Sequence, residues 1–419
     1  MTPQGHHGSP PGGSRKNLLL VGGGATLLLV GAALSASLGF VGTAPSDRTG
    51  GGAVEAHALH GESGTTRRPA PTSPPARICG SRGLRGPTAR PTGFRAVSPS
   101  QRLDLVVERA PRGTRFWLRE GTYRLGGGEY NQVQPKSGMV FSGAPGAVLD
   151  GQEKNLYAFT GQASDVTIEH LTIQNFGTAL DNRDEGVVNH DQGDGWKIRH
   201  NTVRWNGGAG VFIGDGNTVT HNCLQANGQY GFSAYEPDGV RDVRLHRNEI
   251  RDNNTADWER RIDGCGCTGG GKFWATTNAD LTSNWIHDNR GPGIWADTNN
   301  SGFLISGNYI ADNDAEGVFY ETSYNAEISA NMFLRNGLVK GRGDTGFPTP
   351  AVYVSESGSD RRAGSEYGTH LSIVGNRFID NWGGVVGWEN ADRFAGSPAN
   401  TSTGTTTLVN PQVATEASC

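Results

Sequence analysis

The chain has 419 residues, of which 64 are glycine and only 3 are methionine, and 35% of its residues are hydrophobic. So much glycine beside a modest apolar content is typical of many tight turns around a slim core, and it excludes a mainly helical or a disordered chain. The formal net charge of -4 excludes the strongly basic surface of a nucleic-acid-binding protein.

The N-terminal region predicts an exported protein. A polar segment, residues 1–16, ends in Arg15 and Lys16 and precedes an uncharged run over residues 18–41. Such a run can span a bilayer, and the basic flank would hold the N terminus in the cytoplasm. We therefore predict a transmembrane signal anchor over residues 17–43, which makes a single-pass cell-membrane protein with an extracellular C-terminal domain. A cleaved signal peptide is the alternative, because small residues near Ala32 offer a cleavage site, and the protein would then be secreted.

Three further segments follow from composition. Residues 44–92 are rich in Pro, Gly, Ser, Thr and Arg and predict a disordered linker. Ser98–Arg109 predicts a short amphipathic helix that caps the core of the domain behind it. We predict that this domain covers residues 93–395, that residues 396–419 form a C-terminal tail, and that the protein is a monomer.

A pair of asparagines five residues apart recurs seven times. The pairs are Asn201/Asn206, Asn222/Asn227, Asn248/Asn253, Asn284/Asn289, Asn308/Asn313, Asn331/Asn336 and Asn376/Asn381. The first asparagines are 21, 26, 36, 24, 23 and 45 residues apart, so a unit near 22 residues carries insertions. A fixed period with insertions indicates a solenoid. Each unit holds three short alternating strands, which predicts an all-β parallel β-helix with three strands per coil.

The same repeat predicts the core of the solenoid. An apolar residue lies two places after each first asparagine, on one face of the second strand. These residues are Val203, Leu224, Ile250, Ile286, Ile310, Phe333 and Phe378. Asparagine tolerates left-handed backbone, and its amide can bond to the asparagine one coil above, so we interpret the asparagines as scaffold residues.

Five cysteines are too few for a disulfide framework in a chain of this length. Cys79 and Cys419 flank the domain, and an exported protein could pair some of its cysteines. Cys265 and Cys267 lie in an insertion and are weak evidence for a metal site. We expect Cys223, on the surface of its strand, to be a free thiol.

The third strand of each unit predicts a ligand-binding face. Period-two alternation turns outward a column of side chains that are aromatic at four of its five positions. Its members are Phe212, Ser233, Trp274, Trp295 and Phe319. Flat rings in a row suit the apolar faces of sugars, which predicts a glycan-binding groove; the alternative is that the insertions cover the rings.

Two places further along, the same strands present a second outward column, which contains His190, Tyr235, Thr276, Asp297 and Glu321. Asp297 and Glu321 fall on adjacent coils, so we expect their carboxylates to be roughly 5 Å apart. That spacing suits a retaining glycosidase pair, a Ca2+ site or recognition of a uronate carboxylate, and solvated surface acids are the alternative.

Other candidate site residues lie close to these acids in sequence. Lys272 replaces the glycine found in neighbouring units and could act as a base or neutralise a substrate carboxylate. Tyr324 is a candidate proton donor, and His287 is a candidate for substrate binding. Insertions at residues 254–270 and 337–350 should wall the groove, with contributions from the segment Trp258–Arg261.

The repeat resembles the right-handed parallel β-helix repeat proteins of the pectin-lyase-like superfamily over about residues 93–388. The resemblance is carried by the repeat, by Gly113–Tyr123 and Gly146–Gly151, and by the series Lys272-Phe-Trp, Trp295-Ala-Asp and Glu321-Thr-Ser-Tyr. It implies a right-handed β-helix and the activities of that superfamily: polysaccharide lyase, glycoside hydrolase or uronan epimerase. The motifs of polygalacturonases and classical pectate lyases are absent from the chain.

The resulting hypothesis is an exported polysaccharide-processing enzyme of lyase or glycoside hydrolase type. Lys272, Asp297, Glu321 and Tyr324 are its predicted catalytic residues, and Asp297 and Glu321 are also candidate Ca2+ ligands. The predicted substrate-binding residues are Trp274, Trp295, Phe319, His287 and Tyr235. The competing hypothesis is a non-catalytic glycan-binding or surface-adhesion solenoid.

Overall fold

The computed structural model describes residues 69–177, 186–236, 238–261, 269–343, 349–355, 371–388, 408–409 and 413–416. Within these ranges no helix is long and apolar enough to cross a membrane. The segment predicted to span the bilayer, residues 18–41, lies outside them.

Short strands make up most of the regular secondary structure in the described residues, beside three short α-helices and one 3-10 helix, Arg82–Leu84. The α-helices are α1 (Leu103–Glu108), α2 (Trp258–Arg261) and α3 (Lys340–Gly343). The strands are β1 (Arg95–Val97), β2 (Arg115–Leu118), β3 (Gly121–Arg124), β4 (Val140–Gly143), β5 (Ala147–Asp150), β6 (Thr167–Glu169), β7 (Thr172–Gln174), β8 (Gly186–Val188), β9 (Lys197–Arg199), β10 (Thr202–Arg204), β11 (Ala209–Phe212), β12 (Thr218–Thr220), β13 (Cys223–Gln225), β14 (Phe232–Ala234), β15 (Val240–His246), β16 (Glu249–Arg251), β17 (Gly271–Trp274), β18 (Thr276–Thr282), β19 (Trp285–His287), β20 (Ile294–Asp297), β21 (Ser301–Ser306), β22 (Tyr309–Ala311), β23 (Val318–Glu321), β24 (Tyr324–Ser329), β25 (Met332–Leu334), β26 (Val352–Ser355), β27 (Leu371–Val374), β28 (Asn376–Ile379), β29 (Val385–Trp388), β30 (Leu408–Val409) and β31 (Val413–Glu416).

These strands form three parallel sheets. The first sheet has the order β1-β2-β4-β6-β9-β12-β15-β18-β21-β24-β27-β30, the second β3-β5-β7-β10-β13-β16-β19-β22-β25-β28-β31, and the third β29-β26-β23-β20-β17-β14-β11-β8. The chain visits the first, second and third sheets in turn and then begins the next coil. This is the predicted parallel β-helix.

The core lies inside the three sheets. The predicted inward residues of the second sheet pair coil to coil, as in Val203 with Leu224 and Ile250 with Ile286. All seven are fully buried. Stacking therefore buries apolar surface that one coil alone would leave in water.

Two ladders of asparagine side chains run along the stack, one for each asparagine of the repeated pair. Each amide nitrogen donates to the amide oxygen of the asparagine one coil further on, at 2.9–3.2 Å. The same nitrogen also donates to a backbone carbonyl, as Asn284 does to Leu245 at 3.0 Å. The scaffold role predicted for these residues is confirmed.

The left-handed backbone lies one residue earlier than predicted. The residue before each ladder asparagine has positive φ, for example 56° at His200, 55° at Trp205 and 51° at Arg247. Apart from Ala330, which is 7% exposed, these corner residues are partly or fully exposed and so can be of many types, whereas the asparagine behind each one is buried and carries the hydrogen bonds.

Both ends of the predicted domain need correction. Residues 77–85, within the predicted linker, cross the outer face of the second sheet and are joined to it by a disulfide between Cys79 and Cys223. The expectation that Cys223 is a free thiol is therefore wrong. Its disulfide partner lies 144 residues away in sequence, so no local pattern indicated the pairing. The predicted tail supplies β30 and β31, which pair with β27 and β28.

Candidate functional site

The candidate site lies on the outer face of the third sheet, where β17, β20 and β23 are adjacent. The coil-to-coil register defines two columns of side chains on this face. The first column contains Phe212, Ser233, Lys272, Trp295, Phe319 and Tyr353. The second column, two residues further along each strand, contains Tyr235, Trp274, Asp297 and Glu321.

The register of β17 differs from the sequence prediction by two residues. Gly271 pairs with Ile294, so Gly270 and not Lys272 occupies the position equivalent to Gly293. A side chain at Gly293 would meet a carbonyl of the next coil at 2.8 Å, which explains the glycine in this column. The interpretation of Lys272 as a replacement for glycine is therefore wrong.

The corrected register moves two predicted residues along the face. Lys272 lies in the first column beside Trp295, and Trp274 lies in the second column beside Asp297. Trp274 also contacts Tyr235, with ring centroids 5.9 Å apart. Thr276, predicted to point outward, is buried at the start of β18 in the first sheet.

Four side chains from three successive coils converge. The ammonium of Lys272 lies 2.9 Å from Oδ2 of Asp297 and 4.2 Å from the ring centroid of Trp295. The indole N–H of Trp295 donates to Oε2 of Glu321 at 3.0 Å. We call these four residues the Lys–Trp–Asp–Glu cluster. Its ion pair, cation–π contact and charge-assisted hydrogen bond hold the indole in one orientation.

The members of this cluster differ in access to solvent. The side chains of Lys272 and Asp297 keep 17% and 15% of their surface exposed, and Trp295 is also partly exposed. Glu321 is 1% exposed. A ligand in the groove can therefore reach the lysine, the aspartate and the indole, whereas Glu321 supports the indole from behind.

The aromatic column is more covered than the sequence predicts. Phe212 is 6% exposed, because Trp258 and Tyr230 pack with it in one apolar cluster. Phe319 is also 6% exposed, since it stacks on Trp295 at 5.0 Å and meets Tyr353 edge-on at 4.6 Å. The alternative that an insertion covers the rings is therefore correct for Phe212, and partly exposed rings remain at Trp274 and Trp295.

Two predicted residues lie in other sheets. Tyr324 begins β24 in the first sheet and is 2% exposed, and its backbone carbonyl accepts the hydroxyl of Tyr320 at 2.5 Å. His287 belongs to β19 in the second sheet, where it contacts Glu249 and Asp288 at 3.5 and 2.5 Å. Burial alone would lower the pKa of His287, but hydrogen bonds to these two carboxylates raise it overall.

The donor set of the cluster does not fit a Ca2+ ion. Oδ2 of Asp297 faces the Lys272 ammonium and Oε2 of Glu321 accepts the indole N–H, so a divalent cation would meet a positive charge and find few oxygen ligands. Within the described ranges no group of three or more His, Cys, Asp or Glu residues could hold a metal ion.

The N-terminal end of the groove carries an aromatic contact that the sequence did not reveal. Tyr157 stacks on His190 with ring centroids 3.8 Å apart, and Phe212 follows at 6.3 Å. Burial lowers the pKa of His190, an effect that the charge of Asp191 opposes. Tyr157 stands outside the asparagine repeat, so no periodic signal placed it here.

Comparison with known proteins agrees with this fold. Residues 185–378 match the family model described as right handed beta helix region. Together with the three parallel sheets, this match shows that the chain has the fold of a right-handed parallel β-helix. No curated protein sequence matched significantly.

Solved structures that align with this chain include several polysaccharide enzymes. The A-module of a mannuronan C-5 epimerase from Azotobacter vinelandii aligns over 75% of this chain and 90% of its own, with a TM-score of 0.51 and 16% identity. A double mutant of a periplasmic alginate epimerase aligns over 77% and 81%, with a TM-score of 0.50 and 11% identity. An alginate lyase from Paenibacillus sp. aligns over 77% and 95%, with a TM-score of 0.43 and 13% identity.

Proposed function

We propose that the chain is an exported enzyme that acts on a uronate-containing polysaccharide in the groove of the third sheet. The observation that carries this proposal is the convergence of Lys272, Trp295 and Asp297 on one partly exposed patch, supported by Glu321. An evenly spaced aromatic groove, as in a passive binding surface, would not require a lysine and an aspartate in contact beside one indole.

Each residue of the Lys–Trp–Asp–Glu cluster has a distinct role in this proposal. Lys272 presents a cation to the carboxylate of a uronate unit, and the indole of Trp295 stacks on the sugar ring. Asp297, beside the lysine, accepts the proton from C5 of the same sugar. Glu321 holds Trp295 in place and does not meet the substrate.

The burial of Glu321 favours this chemistry over glycoside hydrolysis. A retaining glycosidase needs two carboxyl groups that both reach the scissile bond. Asp297 is partly exposed, but Glu321 is 1% exposed and engaged by the Trp295 indole. Tyr324 is buried as well, so we leave it out of the proposed proton path.

The proposed reaction is β-elimination. Lys272 neutralises the uronate carboxylate and thereby acidifies the C5–H bond. Asp297 takes the C5 proton, the electron pair forms a C4–C5 double bond, and the bond between C4 and its glycosidic oxygen breaks. That oxygen takes a proton from water and leaves as a hydroxyl group, and Asp297 releases its proton to water, which yields an unsaturated uronate and a shortened chain.

Epimerisation begins with the same step. If a proton returns to C5 from the opposite face before the C4–oxygen bond breaks, the chain stays intact and the sugar is inverted at C5. Two enzymes of this fold are named as mannuronan and alginate epimerases, so this product is included in the test.

The experiment treats the purified protein with a panel of uronate polymers and one neutral polymer. Ultraviolet absorbance reports unsaturated uronates, new reducing ends report any chain cleavage, and deuterium uptake at C5 reports epimerisation. Asp297→Asn should lower the rate by about 10²–10⁴-fold, the usual contribution of a general base. Lys272→Ala should also abolish turnover, whereas Lys197→Ala, an exposed lysine of β9, is the matched control and should have no effect.

Glu321→Gln separates the proposed role from the hydrolase role. An amide oxygen can still accept the indole N–H, so this variant should retain activity within about tenfold of the parent. If Glu321→Gln is inactive and only reducing ends appear, the protein is a hydrolase and our assignment is wrong. Polymer binding without any product would instead favour the non-catalytic glycan-binding protein.

We also propose that the enzyme works outside the cell. The proposal rests on the predicted anchor over residues 17–43 and on the disulfide between Cys79 and Cys223, because disulfides persist in oxidising compartments. Fractionation of the native host should place the protein in the cell membrane, with the C-terminal domain accessible to external protease, or in the medium if the segment is cleaved.

A further inference from the structure

The N-terminal strap, residues 77–85, forms a second concave surface far in sequence from the groove. Its start is fixed by the disulfide to Cys223 and by Glu249, whose carboxylate accepts the backbone N–H groups of Ile78 and Cys79 at 2.7 and 2.8 Å. Glu249 is fully buried beneath these contacts. The strap is therefore a fixed wall and not a loose arm.

A cleft of about 390 Å³ lies between the strap and the outer face of the second sheet. This volume is within the range of about 300–1,000 Å³ typical of small-molecule sites. The polar side chains that line it are cationic or neutral, and no described acidic residue is among them. They include Arg77, Arg85, Arg204, His170, Thr202 and Gln225.

Arg204 is held in the wall of the cleft by contacts to two side chains. Its Nε and Nη2 atoms both donate to Oε1 of Gln174, at 3.1 and 3.0 Å. Its guanidinium also lies 3.8 Å from the ring centroid of Trp205. Trp205 is 50% exposed, so a positive charge of fixed orientation stands beside an open aromatic face.

The two strap arginines differ in their surroundings. Arg77 lies 3.8 Å from Oε1 of Glu249, which offsets part of its charge. Arg85 is exposed and forms no ion pair within the described part of the chain. Arg85 and Arg204 thus give the cleft an uncompensated positive potential from its two opposite walls.

We propose that this cleft is a second binding site, which takes an anionic sugar unit through its carboxylate. Arg204 and Arg85 hold the carboxylate from the sheet and from the strap. Thr202 and Gln225, which also line the cleft, supply hydrogen bonds to hydroxyl groups of the sugar. The proposal is independent of the chemistry in the groove of the third sheet.

The test is calorimetric titration of the full protein with glucuronate, with glucose as the matched neutral sugar and inorganic sulfate as the free anion. We expect glucuronate to bind and glucose not to bind. Arg204→Gln and Arg85→Gln should each weaken glucuronate binding by about tenfold to a hundredfold, the usual cost of losing a charge-assisted hydrogen bond. Arg204→Lys keeps the charge and should restore part of the affinity.

Two controls separate this site from the groove. Arg244→Gln removes an exposed arginine of the first sheet and should leave the affinity unchanged. The titrations are repeated in a Lys272→Ala background, which removes the cation proposed to hold a uronate in the groove of the third sheet, so glucuronate binding that persists there and is weakened by Arg204→Gln belongs to the cleft. Equal melting temperatures of the variants exclude misfolding as the cause of a loss.

Three results would overturn the proposal. Loss of glucuronate binding in Lys272→Ala would place the ligand in the groove of the third sheet. Sulfate that binds as tightly as glucuronate would reduce the cleft to a simple anion site. No binding of glucuronate at millimolar concentration would show that the cleft is not a carboxylate site.

Discussion

Replacement of Asn289, in the middle of one asparagine ladder, tests the energetic origin of the fold. Its Nδ2 donates to the carbonyl of Ile250 at 3.1 Å and to Oδ1 of Asn313 at 2.9 Å. Its Oδ1 accepts the backbone N–H of Asn253 at 3.1 Å and the Nδ2 of that residue at 3.0 Å. The side chain is fully buried, so water does not replace these four bonds without a rearrangement.

Asn289→Ala removes all four hydrogen bonds at once. With a net contribution of about 1 kcal/mol for each, the variant should lose about 4 kcal/mol of unfolding free energy. Whole domains are stable by only about 5–15 kcal/mol, so the loss is easy to measure. Urea unfolding followed by far-ultraviolet circular dichroism gives the value.

Asn289→Asp has the same shape and makes the test sharper. The carboxylate can still accept both bonds from Asn253, but it cannot donate to Ile250 or Asn313 and instead faces two acceptor oxygens. We expect a loss larger than that of Asn289→Ala, reduced at low pH because a protonated carboxyl regains one donor. Asp280→Ala, at an exposed surface ion pair, is the control and should cost under about 1 kcal/mol.

The reasoning fails under either of two outcomes. If Asn289→Ala costs less than about 1 kcal/mol, the ladder does not stabilise the coil stack. If Asn289→Asp is no worse than Asn289→Ala, the direction of the donors along the ladder is unimportant.

Three further predictions concern other parts of the molecule. Replacement of both Cys79 and Cys223 with serine should lower the free energy of unfolding by up to about 5 kcal/mol, the chain-entropy value for a loop closed over 144 residues. Thermal unfolding measures the loss, and an unchanged melting temperature would contradict the prediction. His200 and His221 stack at 4.9 Å, and burial lowers the pKa of both from 6.5, so the folded state binds fewer protons than the unfolded chain and stability should fall as pH drops below 6.5. Replacement of both histidines with glutamine should reduce this loss of stability at low pH. If the pH–stability curve of the variant runs parallel to that of the parent protein, the histidine stack does not contribute to the pH dependence. Trp258→Ala should speed amide hydrogen exchange in residues 254–261 while exchange in the core strands stays slow; uniform acceleration would show that the insertion supports the whole fold.

The repeat made the fold predictable from sequence. Asparagine pairs and the apolar residue two places after each one are local patterns, and the parallel stack follows because each coil must bury the same face. The left-handed corner lies one residue before the predicted position. Two neighbouring residues share the work: the side chain of Asn201 forms the ladder hydrogen bond, and the backbone of His200 makes the turn.

The candidate site was less predictable, for two physical reasons. Three consecutive glycines precede Lys272, so period-two alternation gave its face correctly but left its register open by two residues. The burial of Phe212 depends on Trp258. Trp258 lies in an insertion that has no periodic sequence pattern, so its contact with Phe212 was not predictable. The corrected register pairs Lys272 with Trp295, which puts Asp297 diagonally across on the adjacent coil, and the long lysine side chain spans that diagonal.

The disulfide of the strap also changes how the solenoid bears load. A stack of coils in contact only with its neighbours tends to fray and peel from its ends. The disulfide between Cys79 and Cys223 encloses α1 and the strands β1 to β12 in one covalent ring. A pulling force applied to the chain before Cys79 therefore reaches the stack at β13, from the side. The first coils are thereby shielded from tension, and the N-terminal end cannot unzip one coil at a time under such a pull.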